Sequence, residues 1–204
     1  MDAQITPGAQ PQMAGRGDRV ARTREAIVSS TLNLALEGEV APIVRDIAKL
    51  AGVSARTVFQ HFADTAELYI AVLGRVFSSV NADAPAINHQ SPLDQRIAVV
   101  VDHNAARYEK VRPMWVFIQT LQRRSTEAAE KIRHIYTGNR EHMSDSFRPE
   151  LSALPEDKRE HTLNALSVTL SPESWNTLRD RLGLTVDQAK EEWRFLVRSV
   201  FGGR

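Results

Sequence analysis

Any catalysis or metal binding in this chain would have to be built from six histidines and 25 carboxylates, because it contains no cysteine. Glu130 and His134 stand four residues apart, a spacing that puts both on one helix face within reach of a shared metal, and His142 lies two turns further on. His61, His89 and His161 are scattered. His103 adjoins Asp102, but neighbours on a helix point apart. An open zinc site needs three converging protein ligands, so surface or hydrogen-bonded histidines are the favoured reading. Without cysteine there is no thiolate catalysis, disulfide or Cys-ligated zinc. No G-x-S-x-G, H-E-x-x-H, phosphate-loop or dinucleotide fingerprint occurs, and no nucleophile has an identifiable base. The chain is expected to be no enzyme and to carry no metal and no cofactor.

A different chemistry is better served. Arg56, Thr57, Gln60 and His61 project polar groups from a short stretch in which Val58 and Phe62 are the inward residues. Arginine pairs with guanine and glutamine with adenine through two parallel hydrogen bonds each in the major groove. Side chains that read base edges must be presented by a short helix held firmly against a second one. The preceding residues fit that need. Ile47, Ala48 and Ala51 have helical spacing, and Gly52 tolerates the left-handed conformation of a helix stop. Val53 plugs the angle, and Ser54 is a suitable N-cap for the next helix. The spacing predicts a helix-turn-helix over Val44–Phe62.

The stretch IAKLAGVSARTVFQHFADTAEL resembles the DNA-binding motif of the tetracycline-repressor (TetR) family of transcriptional regulators. The matching positions are Ile47, Ala48, Ala51, Gly52, Val53, Ser54, Thr57, Val58, Phe59, His61, Phe62 and Leu68, about a tenth of the chain. Phe59 stands where the family usually has tyrosine, Thr65 where it has lysine, and Pro42 where it often has threonine. The resemblance implies a homodimeric regulator, commonly a repressor, that binds an operator in double-stranded DNA. It also implies a small-molecule effector, bound in the C-terminal helices, that releases the DNA. Arg22, Arg45, Ser54, Ala55, Arg56, Thr57, Phe59, Gln60, His61 and Thr65 are the candidate DNA contacts. Because three customary phosphate-contacting side chains differ, backbone amides near Ser54 and Asp64 are expected to carry more of that contact.

Charge gives this reading mixed support. The whole chain carries +1, and residues 1–82 contain eight Lys/Arg and eight Asp/Glu, a net of zero. Phosphate binding draws on basic residues, and here they are clustered: Arg16, Arg19, Arg22 and Arg24 accompany a single Asp18. Two readings stand, a solvated helix start or an arm that tracks phosphates. The zero net charge also keeps open a second class, a helical ligand-binding or interaction protein with weakened or lost sequence-specific DNA binding.

The remaining sequence reads as helix throughout, so the expected fold is all-α with about nine helices. Residues 1–18, rich in Gly, Pro and Gln, are expected to be a disordered tail. Residues 19–64 form the helix-turn-helix domain, 65–80 a connecting helix opened by an Asp64/Glu67 capping pair, and 81–204 an effector-binding and dimerisation domain. Aromatic and polar residues mixed along 97–147 suit a mostly apolar pocket with polar anchors. Its candidate lining is Val101, Asn104, Tyr108, Trp115, Ile118, Gln119, Tyr136, Asn139 and Met143. The last two apolar stripes each carry a tryptophan, a residue favoured at interface hot spots. They make Leu163, Leu166, Leu170, Trp175, Ala189, Trp193, Leu196, Val197 and Val200 the candidate dimer interface. No apolar run approaches the ~20 residues that span a bilayer, and MDAQITPGAQPQMAG lacks the apolar core of a signal peptide. A cytoplasmic protein without membrane association is expected.

Overall fold

The computed structural model describes residues 15–81 and 85–202. The expected tail at 1–14 and residues 82–84 of the expected linker lie outside the described residues. The first helix, α1, spans Arg16–Leu36. It begins before the expected boundary because Gly15 supplies the N-terminal turn and its N–H donates to Asp18 Oδ2 at 3.2 Å. α2 is Val44–Ala51, α3 Ala55–His61 and α4 Thr65–Asn81. Ile27 of α1, Ile47 of α2, Val58 of α3 and Leu68 of α4 are buried together with Phe62, which follows α3. These apolar residues form the core that holds α2 and α3 at a fixed angle.

Gly52 makes the turn between them. It has φ +66°, left-handed, and the Val53 N–H reaches back to the Ala48 carbonyl at 3.0 Å. An L-residue with a Cβ is strained there. Ser54 then starts α3, its Oγ accepting from the Thr57 N–H at 3.0 Å. The Asp64/Glu67 pair closes the start of α4: the Glu67 N–H donates to Asp64 Oδ1 at 2.8 Å and the Ala63 N–H to Glu67 Oε2 at 2.7 Å.

The body follows in chain order. α5 is Leu93–Val111; a 3₁₀ turn at Arg112–Met114 contains Pro113; α6 is Trp115–Arg124 and α7 Thr126–Ser146. Two short helices interrupt the expected pattern, α8 at Arg148–Ala153 and α10 at Pro172–Asn176, on either side of α9, Glu156–Thr169. Each has its proline in the first helical turn, where a missing N–H costs nothing. A π-helical turn, Thr177–Arg181, then leads to α11, Val186–Gly202. The expected Thr185/Gln188 capping box opens α11, with reciprocal bonds of 2.9 and 3.2 Å. Among the described residues there is no strand, and no helix is long and apolar enough to cross a membrane.

α11 packs along α5 and α9. At their junction Trp193 lies 4.5 Å from Trp175 and 5.9 Å from Tyr108, ring centre to ring centre, and all three are buried. Each polar tip has a partner. Trp193 donates to Ser174 Oγ (3.1 Å), Trp175 to Glu109 Oε1 (2.9 Å) and Tyr108 to the Leu170 carbonyl (3.1 Å). Burial pushes the Tyr108 hydroxyl up to about 12. Burial alone would also raise Glu109, but hydrogen bonds from Arg179 and Trp175, with the charge of Arg112, hold its carboxyl below the usual range. A second tie lies near the body's other end, where Arg96 grips Glu150 through both Nη atoms.

Candidate nucleic-acid interface and ligand slot

α3 turns its apolar residue Val58 inward and leaves Ala55, Arg56, Phe59 and Gln60 exposed. These four occupy one outward row. Arg56 and Gln60 are four residues apart, so they lie one above the other on the same face. Thr57 faces elsewhere, because its hydroxyl is 2.8 Å from Ser54 Oγ and is spent on the cap. His61 is half-buried. Ser54 therefore acts as a helix cap, and of the expected residues on α3 the exposed ones are Ala55, Arg56, Phe59 and Gln60. Phe59 is 52% exposed, which its packing does not explain. An aromatic face at such a position suits contact with a thymine methyl group.

The flanking residues fall into two groups. Arg45 at the start of α2 is exposed and lies 3.2 Å from Asp46 Oδ1. Arg19 and Arg22 are exposed on α1, and the Arg22 Nε–H donates to the Asp18 carbonyl at 3.3 Å. Arg24 lies over the Phe62 ring at 4.5 Å. The arginine cluster is thus part of a helix and not an extended arm. Thr65 is the first residue of α4 and half-buried. The amides expected to receive a phosphate near Asp64 meet two carboxylates: those of Ala63 and Glu67 already donate to Glu67 and Asp64. That position is less suited to an anion than its sequence suggests.

In the body, Phe77, Arg107, Tyr108, Val111, Trp115, Ile118, Gln122, Ile132, Ile135, Tyr136, Asn139 and Pro172 line a narrow cavity of about 40 Å³. Five of the expected lining residues are there: Tyr108, Trp115, Ile118, Tyr136 and Asn139. The other four are placed differently. Val101 is fully buried in the core. Asn104 is buried and its Oδ1 accepts from Arg107. Gln119 lines a separate groove with Glu173 and Asp180, and Met143 borders a small adjoining cavity of about 20 Å³. Phe77 and Arg107 were not anticipated. Phe77 comes from the connecting helix, and Arg107 has no sequence signal to set it apart from a surface arginine. Tyr136 Oη donates to Glu173 Oε1 at 2.6 Å, and its pKa is raised by burial and by that bond.

The expected dimer residues are mostly interior to this subunit. Leu163, Leu166, Leu170, Trp175, Ala189, Trp193 and Val197 are buried, and Val200 is half-buried. Both tryptophans are consumed by the junction of α5, α10 and α11, so they have no surface to offer a second copy. Of the expected set only Leu196 is exposed. The large apolar residues that α9 and α11 do expose are Val168 (72%), Phe195 (63%) and Leu196 (38%). Among the described residues no group of three or more His, Asp or Glu is placed to hold a metal.

An exposed short helix on a glycine turn, joined to a helical body with its own cavity, is an all-α helix-turn-helix architecture. Residues 27–72 match the family model of bacterial regulatory proteins, tetR family. Solved structures agree over nearly the whole length. A transcriptional regulator from Rhodococcus sp. RHA1 is 16% identical, with a TM-score of 0.71 over 88% of this chain and 96% of that one. A tetR-family regulator from Streptomyces coelicolor is 19% identical, TM-score 0.67, covering 88% and 79%. MexZ of Pseudomonas aeruginosa, described as a key repressor responsible for antibiotic resistance, is 16% identical, TM-score 0.62, covering 88% and 94%. A search of curated protein sequences gives no significant match. Residues 27–72 thus match the DNA-binding domain model of the tetR family, and the whole chain shares the all-α fold of these regulators.

Proposed function

We propose that this protein is a ligand-responsive transcriptional repressor. Two copies bind a palindromic operator with one recognition helix each, in major grooves ~34 Å or a modest multiple apart, and a small molecule in the body releases them. The observation that carries the reading is the outward row Arg56, Phe59 and Gln60 on a helix whose opposite side is locked by Val58. Selection of bound sequences from a random DNA pool tests it. Two half-sites in inverted repeat are expected; enrichment of no sequence at moderate salt would defeat the reading. Arg56→Ala and Gln60→Ala should each weaken operator binding by about 1–3 kcal/mol and relax the preference at one base pair. Both side chains are exposed, so the melting temperature should stay put. Equal loss on operator and random DNA would assign them to phosphate instead.

The homodimer reading rests on Val168, Phe195 and Leu196, apolar residues exposed on two helices that pack on each other. Phe195→Glu is expected to shift the protein to monomers in sedimentation at micromolar concentration and to weaken operator binding with it. A fully dimeric variant would move the interface elsewhere.

Release follows from the placement of α4. Its Phe77 walls the cavity, and its Tyr69 Oη donates to the Pro42 carbonyl, just before α2, at 2.6 Å. The Tyr69 ring also meets Phe117 of α6 edge-on at 5.1 Å. The cavity is narrow, so a ligand must displace its walls, and a displaced α4 re-aims the head. Coupling of this kind is typically ~1–3 kcal/mol.

A further inference from the structure

Among the described residues two arginines are buried in the body, and they are treated differently. Arg96 meets the carboxylate of Glu150. Arg107, 8% exposed, has only neutral oxygens: Nη1 donates to Asn104 Oδ1 at 3.2 Å and to Asn139 Oδ1 at 3.2 Å, and Nη2 to Asn139 Oδ1 at 3.1 Å. Its Nε is buried with no hydrogen-bond partner. Guanidinium is planar, with five N–H groups in fixed directions. Asn139 takes the end of the fork. What remains is its side, where Nε–H and the second Nη2–H run parallel, the arrangement that donates to both oxygens of a carboxylate.

Arg107 stands at the wall between two spaces. It lines the narrow apolar cavity, and with Ile135 and Asn139 it also lines a more open groove of about 260 Å³ beside His103, His134 and His142. Among the described residues no aspartate or glutamate lines either space. The charge is felt locally: burial, and then Arg107, hold His142 below its ordinary value against the opposing pull of the Asp145 carboxylate. Amide oxygens carry partial charge only, so they orient the guanidinium without neutralising it, and a buried charge without a counter-ion is costly.

We propose that Arg107 is the carboxylate-binding residue of the effector site, and that the effector is an amphipathic carboxylic acid. Its carboxylate lies on the Nε/Nη2 side of Arg107, and its apolar part enters the cavity between Phe77, Val111, Trp115, Ile118 and Ile132. This assignment rests on the reading of that cavity as the effector site. Asn104 and Asn139 are positioning residues that keep the fork turned.

The test is calorimetric titration of the full-length protein with octanoate, octanamide and octylamine, alongside release of the selected operator. Octanoate should bind saturably, octanamide at least tenfold more weakly, and octylamine not at all. Arg107→Gln should lower octanoate affinity at least tenfold, and Arg107→Lys, which keeps the charge and loses the fork, should fall between. Operator binding by each variant checks that it folds; if Arg107→Gln does not fold, the lysine variant carries the comparison. Octanamide binding as tightly as octanoate, octanoate binding unchanged in the folded variants, or no octanoate binding at all would each overturn the proposal. Octanoate bound through Arg107 with no effect on operator affinity would leave the carboxylate site standing and remove the effector reading instead.

Discussion

Trp193→Ala is expected to lower the unfolding free energy by about 3–5 kcal/mol, the usual cost of truncating a large buried aromatic. The side chain is fully buried, stacks against Trp175 and Tyr108, and satisfies its N–H on Ser174. Removing it opens a void between α5, α10 and α11 that rigid helices close only in part. In a chain of this length ~1 kcal/mol moves the melting temperature by about 2–4 °C, so a fall of roughly 10 °C is expected. Trp193→Phe should recover part of it. A change below ~1 kcal/mol for the alanine variant would mean that the tryptophan is not a core residue. The same experiment separates core from interface: the loss should persist when protein concentration is varied, because the contact lies within one subunit.

Glu150→Ala is expected to cost about 3 kcal/mol, at the lower end for breaking a buried pair. The Arg96 guanidinium keeps its bonds to the Ser146 and Ser91 carbonyls, at 2.8 and 3.1 Å, but loses its counter-charge. Its side chain is 4% exposed and that of Glu150 is 21%, so water replaces the carboxylate poorly. Glu150→Gln, which retains one acceptor, should lose less. Replacing both partners, Arg96→Met with Glu150→Leu, should cost less than Glu150→Ala alone, because the penalty lies in the stranded charge. Chemical denaturation reads all three. A double variant worse than the single one would show that the pair stabilises the protein beyond the cost of burying it.

The contrast between these residues and the head explains what sequence can reveal. The helix-turn-helix was legible because its determinants are local: Gly52 for a left-handed turn, Ser54 for a cap, Val58 and Phe62 for the inward face. All fall within eleven residues, and each has a residue-type preference. The caps at Asp64/Glu67 and Thr185/Gln188 were legible for the same reason. The body's polar ties were not. Arg96 finds Glu150 across 54 residues and Arg107 finds Asn139 across 32, and nothing in the composition marks an arginine that folding will bury. The tryptophans misled for a related reason: an apolar stripe records that a helix face is covered, not which molecule covers it. Trp175 on α10 and Trp193 on α11 both pack inside their own subunit.

The brevity of α3 sets a limit on what one head can know. Seven residues at ~1.5 Å each span about 10 Å, and at ~3.4 Å per base pair that is about three base pairs. A word of three letters recurs about once in every 64 positions of random sequence, whereas a genome offers ~10⁶–10⁹ competing sites. A single copy of this protein would therefore be literate but undiscriminating. If two copies share one operator as proposed, most of the address is written in the relation between two such words, their order and the distance separating them, so spacing mutations in the operator should be as damaging as changes to the letters themselves.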